Sequence, residues 1–243
     1  MTLTDQTRRI QTIVGVPADG AYGPNTATAI LAKLGDVPAQ SFDRAAFLAR
    51  YVNHDAPAID DGDRALAASR LGVTYKHIRA IEKVESNGVS FDNSGRPIIL
   101  PEPHIFFRLT AGRFGTTPFS YAKWGARPYP GSYDARWSLL ADMAERDEAS
   151  ALQSASWGLF QVMGFHYAAC GYATPQAFAA GMVADEANHL SAMVEFILSE
   201  HLDDELRACR AGDPDSCAAF CRGYNGAGFR KNNYHVKLAS ALR

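Results

Sequence analysis

The chain has 243 residues, 47% of them hydrophobic and 21% charged, which suits one or two globular domains with a buried core. Its net charge of −2 supplies no general basic field, so nucleic acid is not an expected partner. No stretch approaches the ~20 apolar residues of a membrane span, and the start, MTLTDQTRRIQTIVG, lacks the apolar run of a secretory signal. These features predict synthesis in a cytosol, no stable membrane insertion and a monomer.

The first ~60 residues have the size of a small separate module. Residues 4–14 are expected to form a helix with Ile10, Ile13 and Val14 on one face. Asp19-Gly20 and Gly23-Pro24 are turn punctuation, and Asn25 or Thr26 can cap a second helix carrying Ile30, Leu31 and Leu34. A third helix is expected over 43–52. The polar stretch NHDAPAIDDGD, residues 53–63, is the candidate linker. The expected division is therefore a module at 1–60 and a larger domain at 64–243.

From Arg64 onward the pattern is mainly helical. A helix over 65–71 stops at Gly72, and Thr74 can cap the next, over 75–86. DNSGRP is turn chemistry, and 98–100 reads as a short extended piece between prolines. A helix over 103–110 leads into a loop, 112–133, rich in Gly, Pro and aromatics. Longer helices follow over 135–153 and 185–202, the second striped by Leu190, Val194, Ile197 and Leu198. Cys170 stands alone, while Cys209, Cys217 and Cys221 cluster late. All four fit buried reduced thiols, since a CxxxC beside His235 is a weak zinc pattern, and no metal or cofactor is expected.

One helix carries a chemical signal. On a 100° wheel TYKHIRAIEKVES puts His77, Ile78, Ile81 and Val84 on one face and Lys76, Arg79 and Lys83 on the other. Glu82 falls at the border, where a solvated carboxylate beside Arg79 and Lys83 is expected. Glu85 falls inside the apolar stripe. A carboxylate there loses hydration, so its pKa should rise towards that of a general acid working near neutrality. A helix-end Glu paired with a distant Arg fits the same spacing, and spacing alone does not decide.

Three strings extend the signal: IEKVESNGVSFDNSGRPIILPEPHIFFRLTAGRF, SASWGLFQVMGFHYAACGY and FCRGYNGAGFRKNNYHVKLASAL. Together, from about residue 66 to 243, they resemble the N-acetylmuramidase family of phage endolysins and related bacterial lysins. More distantly they are similar to goose-type lysozymes and lytic transglycosylases, which share ES, then GLxQ, then YNxG, in that order. Here these are Glu85-Ser86, Gly158-Leu159-Phe160-Gln161 and Tyr224-Asn225-Gly226. The resemblance implies a mainly α, lysozyme-like catalytic domain that cuts peptidoglycan, with Glu85 as the catalytic acid. It implies that Gln161, Tyr224 and Asn225 line the sugar cleft, with Ser156 and Trp157 beside the same loop; Trp157 suits core packing and sugar stacking equally. His166 reads as structural.

Candidates for a second acid are Asp92 and Glu102, although the goose-type and transglycosylase relatives manage with one essential Glu. The rigid Leu100-Pro101-Glu102-Pro103 favours a structural Glu102, bonded to His104. The N-terminal stretch, through Asp19, Gly20, Tyr22, Gly23 and Thr26 in the order DGxYGxxT, resembles a small three-helix peptidoglycan-binding domain. That resemblance implies wall binding. The alternatives are a lytic transglycosylase, which shares the single Glu, and a non-catalytic wall-binding protein. A zinc amidase would need metal-ligand spacings such as HExxH, which do not occur.

Overall fold

The computed structural model describes residues 1–35 and 42–243. The chain divides into two compact units, Met1–Phe42 and Asp43–Arg243.

In the first unit α1 (Leu3–Val14) packs on α2 (Pro24–Gly35). Thr2 and Asp5 form a capping box that satisfies the first amides of α1, and Gly15 closes the helix in the left-handed region. The interior is held by a polar hub. Gln11, only 2% exposed, donates from Nε2 to Asp19 Oδ1 at 2.7 Å, to Ala21 O at 2.9 Å and to Thr26 Oγ1 at 3.1 Å. Its Oε1 accepts from the Gly20 amide at 2.9 Å. Gly20 has φ +82°, and a Cβ there would sit 2.6 Å from Thr4 Cγ2, so the motif requires glycine on both counts.

Asp19, Gly20 and Thr26 therefore hold the turn together. Gly23 begins the chain's entry into α2, and Tyr22 alone of the five motif residues presents a large exposed side chain. The apolar faces expected to form a core are instead largely open: Ile10, Ile13 and Leu31 are all exposed, and the Leu34 side chain lies outside the described residues. A unit this small has too little interior for an all-apolar core and relies on its hydrogen-bonded turn.

The second unit is mainly helical. It contains α3 (Arg44–Ala49), α4 (Asp61–Leu71), α5 (Tyr75–Ser86), α6 (Pro103–Leu109), α7 (Tyr133–Gln153), α8 (Pro175–Ala184), α9 (Glu186–Ser199), α10 (Asp203–Ala208), α11 (Ala218–Asn225) and α12 (Tyr234–Ala241). Strands β1 (Ile99–Pro101), β2 (Ala155–Trp157) and β3 (Val162–Met163) make an antiparallel sheet in that order, with Leu100 opposite Ser156 and Trp157 opposite Val162. The central core is aromatic: the Trp157 ring meets Trp137 edge-on at 5.8 Å and Phe178 at 6.4 Å, while Tyr51 lies 5.2 Å from Trp137.

Two expectations need correction. The helix expected as the third of the N-terminal module is α3, which belongs to the larger unit: its face carries Phe47 and leads to Tyr51, both packed towards α7. The expected linker 53–63 is also integral. Asn53 Nδ2 donates to the carbonyls of Val183 and Ala184, at 3.0 and 3.1 Å, and its amide donates to Gly95 O at 2.8 Å. Asp60 and Asp63 form a capping box that starts α4 within that segment. Its polar composition thus serves helix capping and backbone strapping, which look like linker chemistry when only composition is read.

Candidate active site

Helix α5 lies between α4 and α12, and its Asn87 C-cap adopts φ 55°, ending the helix directly after Ser86. Ile78 and Ile81 are buried, so the apolar stripe faces inward as expected. Glu85 is half-buried at the end of that stripe. Burial pushes its carboxyl up to about 7; a hydrogen bond from Asn225 and the charge of Lys237 act in the opposite direction and are outweighed. Its place in the last turn adds a physical reason for holding a proton, because helix C-terminal carbonyls disfavour an anion.

Asn225 is the last residue of α11 and donates from Nδ2 to Glu85 Oε1 at 2.8 Å. Tyr224 beside it donates its hydroxyl to Phe160 O at 2.8 Å and packs its ring 5.2 Å from Phe196. This bond ties the YNxG turn to the GLxQ turn, so two motifs distant in sequence meet through a main-chain carbonyl. Two further groups escaped sequence reasoning. Tyr234 and Lys237 occupy one face of α12, with the Lys237 ammonium 5.4 Å from the Tyr234 ring centroid. Burial pushes the Tyr234 hydroxyl up to about 12, and the charges of Glu85, Cys221 and Glu102 push the same way. Only their i, i+3 spacing in NNYHVKL could have pointed to them.

The other predicted residues separate by role. Gln161 has φ +51° and all of its amide is engaged by the protein: Nε2 donates to Gly158 O at 2.8 Å and to Ile98 O at 3.3 Å, and Oε1 accepts from Ser156 Oγ at 2.8 Å. Ser156 and Gln161 thus lock the turn that joins β2 to β3. Gly158 is fixed by His189, whose ring would lie 2.6 Å from an added Cβ. Trp157 is a core residue, 1% exposed, with its indole N–H donated to Leu152 O at 3.0 Å; placing it against a sugar is corrected by that burial. His166 is wedged between Phe165 and Phe196, at 4.4 and 4.5 Å.

Neither candidate second acid is a free carboxylate. Asp92 is held by Arg96 through Nε at 3.0 Å and Nη2 at 2.8 Å, and it accepts from the Ser94 and Arg96 amides of its own turn. Glu102 accepts from the Tyr129 hydroxyl and sits 3.2 Å from His104 Nδ1. Glu82 overturns the wheel's expectation. It is 2% exposed, clamped by Arg64 Nε at 2.7 Å and Arg79 Nη1 at 2.6 Å. The four cysteine thiols are free and buried, and the Cys209 thiol donates to Glu205 O at 3.4 Å. Among the described residues no helix is long and apolar enough to cross a membrane.

A helical domain built around a small antiparallel sheet, with a partly buried carboxyl at the end of an apolar helical face, suits a glycoside hydrolase of the lysozyme type, and the comparisons with known proteins show that class. The chain belongs to the N-acetylmuramidase family, whose profile matches residues 74–243. It is also similar to the crystal structure of Burkholderia AP3 phage endolysin, with 34% identity over 99% of this chain and 83% of that one and a TM-score of 0.66. No curated protein matches it in sequence. The chain is accordingly a peptidoglycan hydrolase.

Proposed function

We propose that the protein cleaves the β-1,4 bond between N-acetylmuramic acid and N-acetylglucosamine, with Glu85 protonating the leaving oxygen while a positioned water attacks the sugar. The observation that carries this reading is the Glu85 carboxyl, pushed up to about 7 by burial at the end of an apolar helical face and still hydrogen-bonded by Asn225. A group with that pKa is protonated when needed and a good enough base to be restored. Asp92 and Glu102 are bound to Arg96 and to Tyr129 with His104, which leaves Glu85 as the acid best poised for transfer. Mass spectrometry of digested peptidoglycan tests it. Reducing N-acetylmuramic ends are expected; anhydro-muramic ends would mean that the sugar's own hydroxyl displaces the leaving group.

Asn225 has a defined part in this reading. Its N–H favours the charged form of Glu85, so Asn225→Ala is expected to raise the Glu85 titration further. The alkaline limb of the pH–rate profile should then move to higher pH while activity falls by the ~1–3 kcal/mol of a lost polar contact. An unmoved limb would disconnect the two groups.

The unit Met1–Phe42 is proposed to anchor the enzyme to the wall, supported by the DGxYGxxT pattern and by exposed Tyr22. Tethering raises local substrate concentration without new catalytic contacts. Removing residues 1–42 should leave an active hydrolase that pellets less with isolated walls; unchanged pelleting would sink the anchoring role. A phage origin, with release to the wall through a membrane pore, completes the reading and is supported by the likeness to a phage endolysin.

A further inference from the structure

Trp124 stands apart from the other two tryptophans. Trp137 and Trp157 are buried in the core, whereas Trp124 is 45% exposed in the segment between α6 and α7. An exposed indole with freedom to rotate would be unremarkable, but this one is fixed. Its Nε1 donates to Tyr129 Oη at 3.1 Å, and that hydroxyl donates in turn to Glu102, which His104 also contacts. The Lys231 ammonium lies 5.2 Å from the ring centroid, covering one face. Lys231 belongs to the segment that follows Asn225, so the contact brings the α6–α7 segment to the edge of the Glu85 site. Tyr234 reports the same proximity, since the charges of both Glu85 and Glu102 act on it.

Fixing an exposed aromatic ring in advance removes the ordering loss that binding would otherwise incur. The ring's polar edge is bonded to Tyr129 and Lys231 lies over the ring, while 45% of the residue's surface stays exposed. That surface matches the C–H face of a pyranose, whose hydroxyl and acetamido groups point outward to polar neighbours. We propose that Trp124, held by Tyr129 and Lys231, is a stacking platform for a pyranose ring of the glycan strand in the cleft served by Glu85. It governs affinity and leaves the chemical step to Glu85. The inference rests on the glycan-cutting role proposed above.

The probe is chitotetraose, a soluble β-1,4 oligomer of N-acetylglucosamine, titrated into the full chain and followed by indole emission. The two other tryptophans are buried, so a saturable quench or blue shift assigns to Trp124, and Trp124→Phe should abolish it while preserving the melting temperature. On solubilised glycan strands, Trp124→Ala should raise KM about tenfold, the scale of one aromatic contact. Its kcat and pH profile should be unchanged, and Trp124→Phe should recover most of the loss. A folded Trp124→Ala enzyme with wild-type KM overturns the platform, as does a wild-type emission spectrum that chitotetraose does not alter. A wild type that binds the oligomer but cuts no glycan would instead refute the proposed reaction and leave the platform standing.

Discussion

Glu85→Gln is expected to lose at least ~10²–10⁴-fold in wall-clearing rate, the contribution of a well-placed general acid. Gln keeps the shape and can still accept the Asn225 hydrogen bond, but it has no proton to give. The same change should stabilise the fold in a pH-dependent way. The carboxyl is raised from 4.5 to about 7, so the native state binds this proton more tightly than the unfolded chain does. Well above pH 7 the fold carries a poorly hydrated carboxylate, a penalty of about 3 kcal/mol. That penalty fades as pH falls through 7 and is gone below 4.5, where both states are protonated. The variant should therefore melt several degrees above wild type near pH 8, with the two curves converging near pH 4. Near-wild-type clearing by a well-folded variant would remove Glu85 from the chemistry, and parallel melting curves across pH would deny its raised pKa.

Glu82→Leu should have the opposite profile. Glu82 compensates Arg64, whose side chain is only 13% exposed, and removing the carboxylate leaves that guanidinium with Ile59 O at 3.0 Å and the exposed Asp61 carboxylate at 3.5 Å. Breaking one side of a buried pair costs about 3–5 kcal/mol, or on the order of 10 °C in melting temperature for a domain of this size. The surviving folded enzyme should keep its kcat, because Glu82 faces α4 and the Asn225 contact with Glu85 is untouched. Calorimetry and single-turnover rates on the same preparation separate the two carboxylates. An unchanged melting temperature would show that the clamp contributes nothing.

The contrast between these two residues marks how far sequence reached. A helical wheel contains its own helix and nothing else. It placed Ile78 and Ile81 inside, where they are, while His77, Val84 and Glu85 are only partly buried. It missed Glu82 because the arginine that buries it arrives from α4. The same limit hid β2 and β3, which are too short for alternation to register and exist through pairing with β1 and the Gln161 lock. It also hid α11 and α12: α12 packs against α5, and α11 against α12 and α10. The ES, GLxQ and YNxG strings were legible as motifs, but their labour is divided. Glu85 and Asn225 meet directly, while Gln161 and Tyr224 hold the backbone that lets them meet.

The strap made by Asn53 bears on how such an enzyme can be recombined. A protein engineer replacing the wall-targeting unit would choose the polar, proline-containing stretch 53–63 as the splice point. A junction there would discard α3 with its Phe47, cut the bonds from Asn53 to Val183, Ala184 and Gly95, and disturb the acidic cap of α4. Because α4 supplies the Arg64 that clamps Glu82, the junction would also cost the fold the stability of that buried pair. Chimeras that retain Asp43 onward keep every one of these contacts, and exchange of targeting units between related lysins should succeed or fail on that choice of seam.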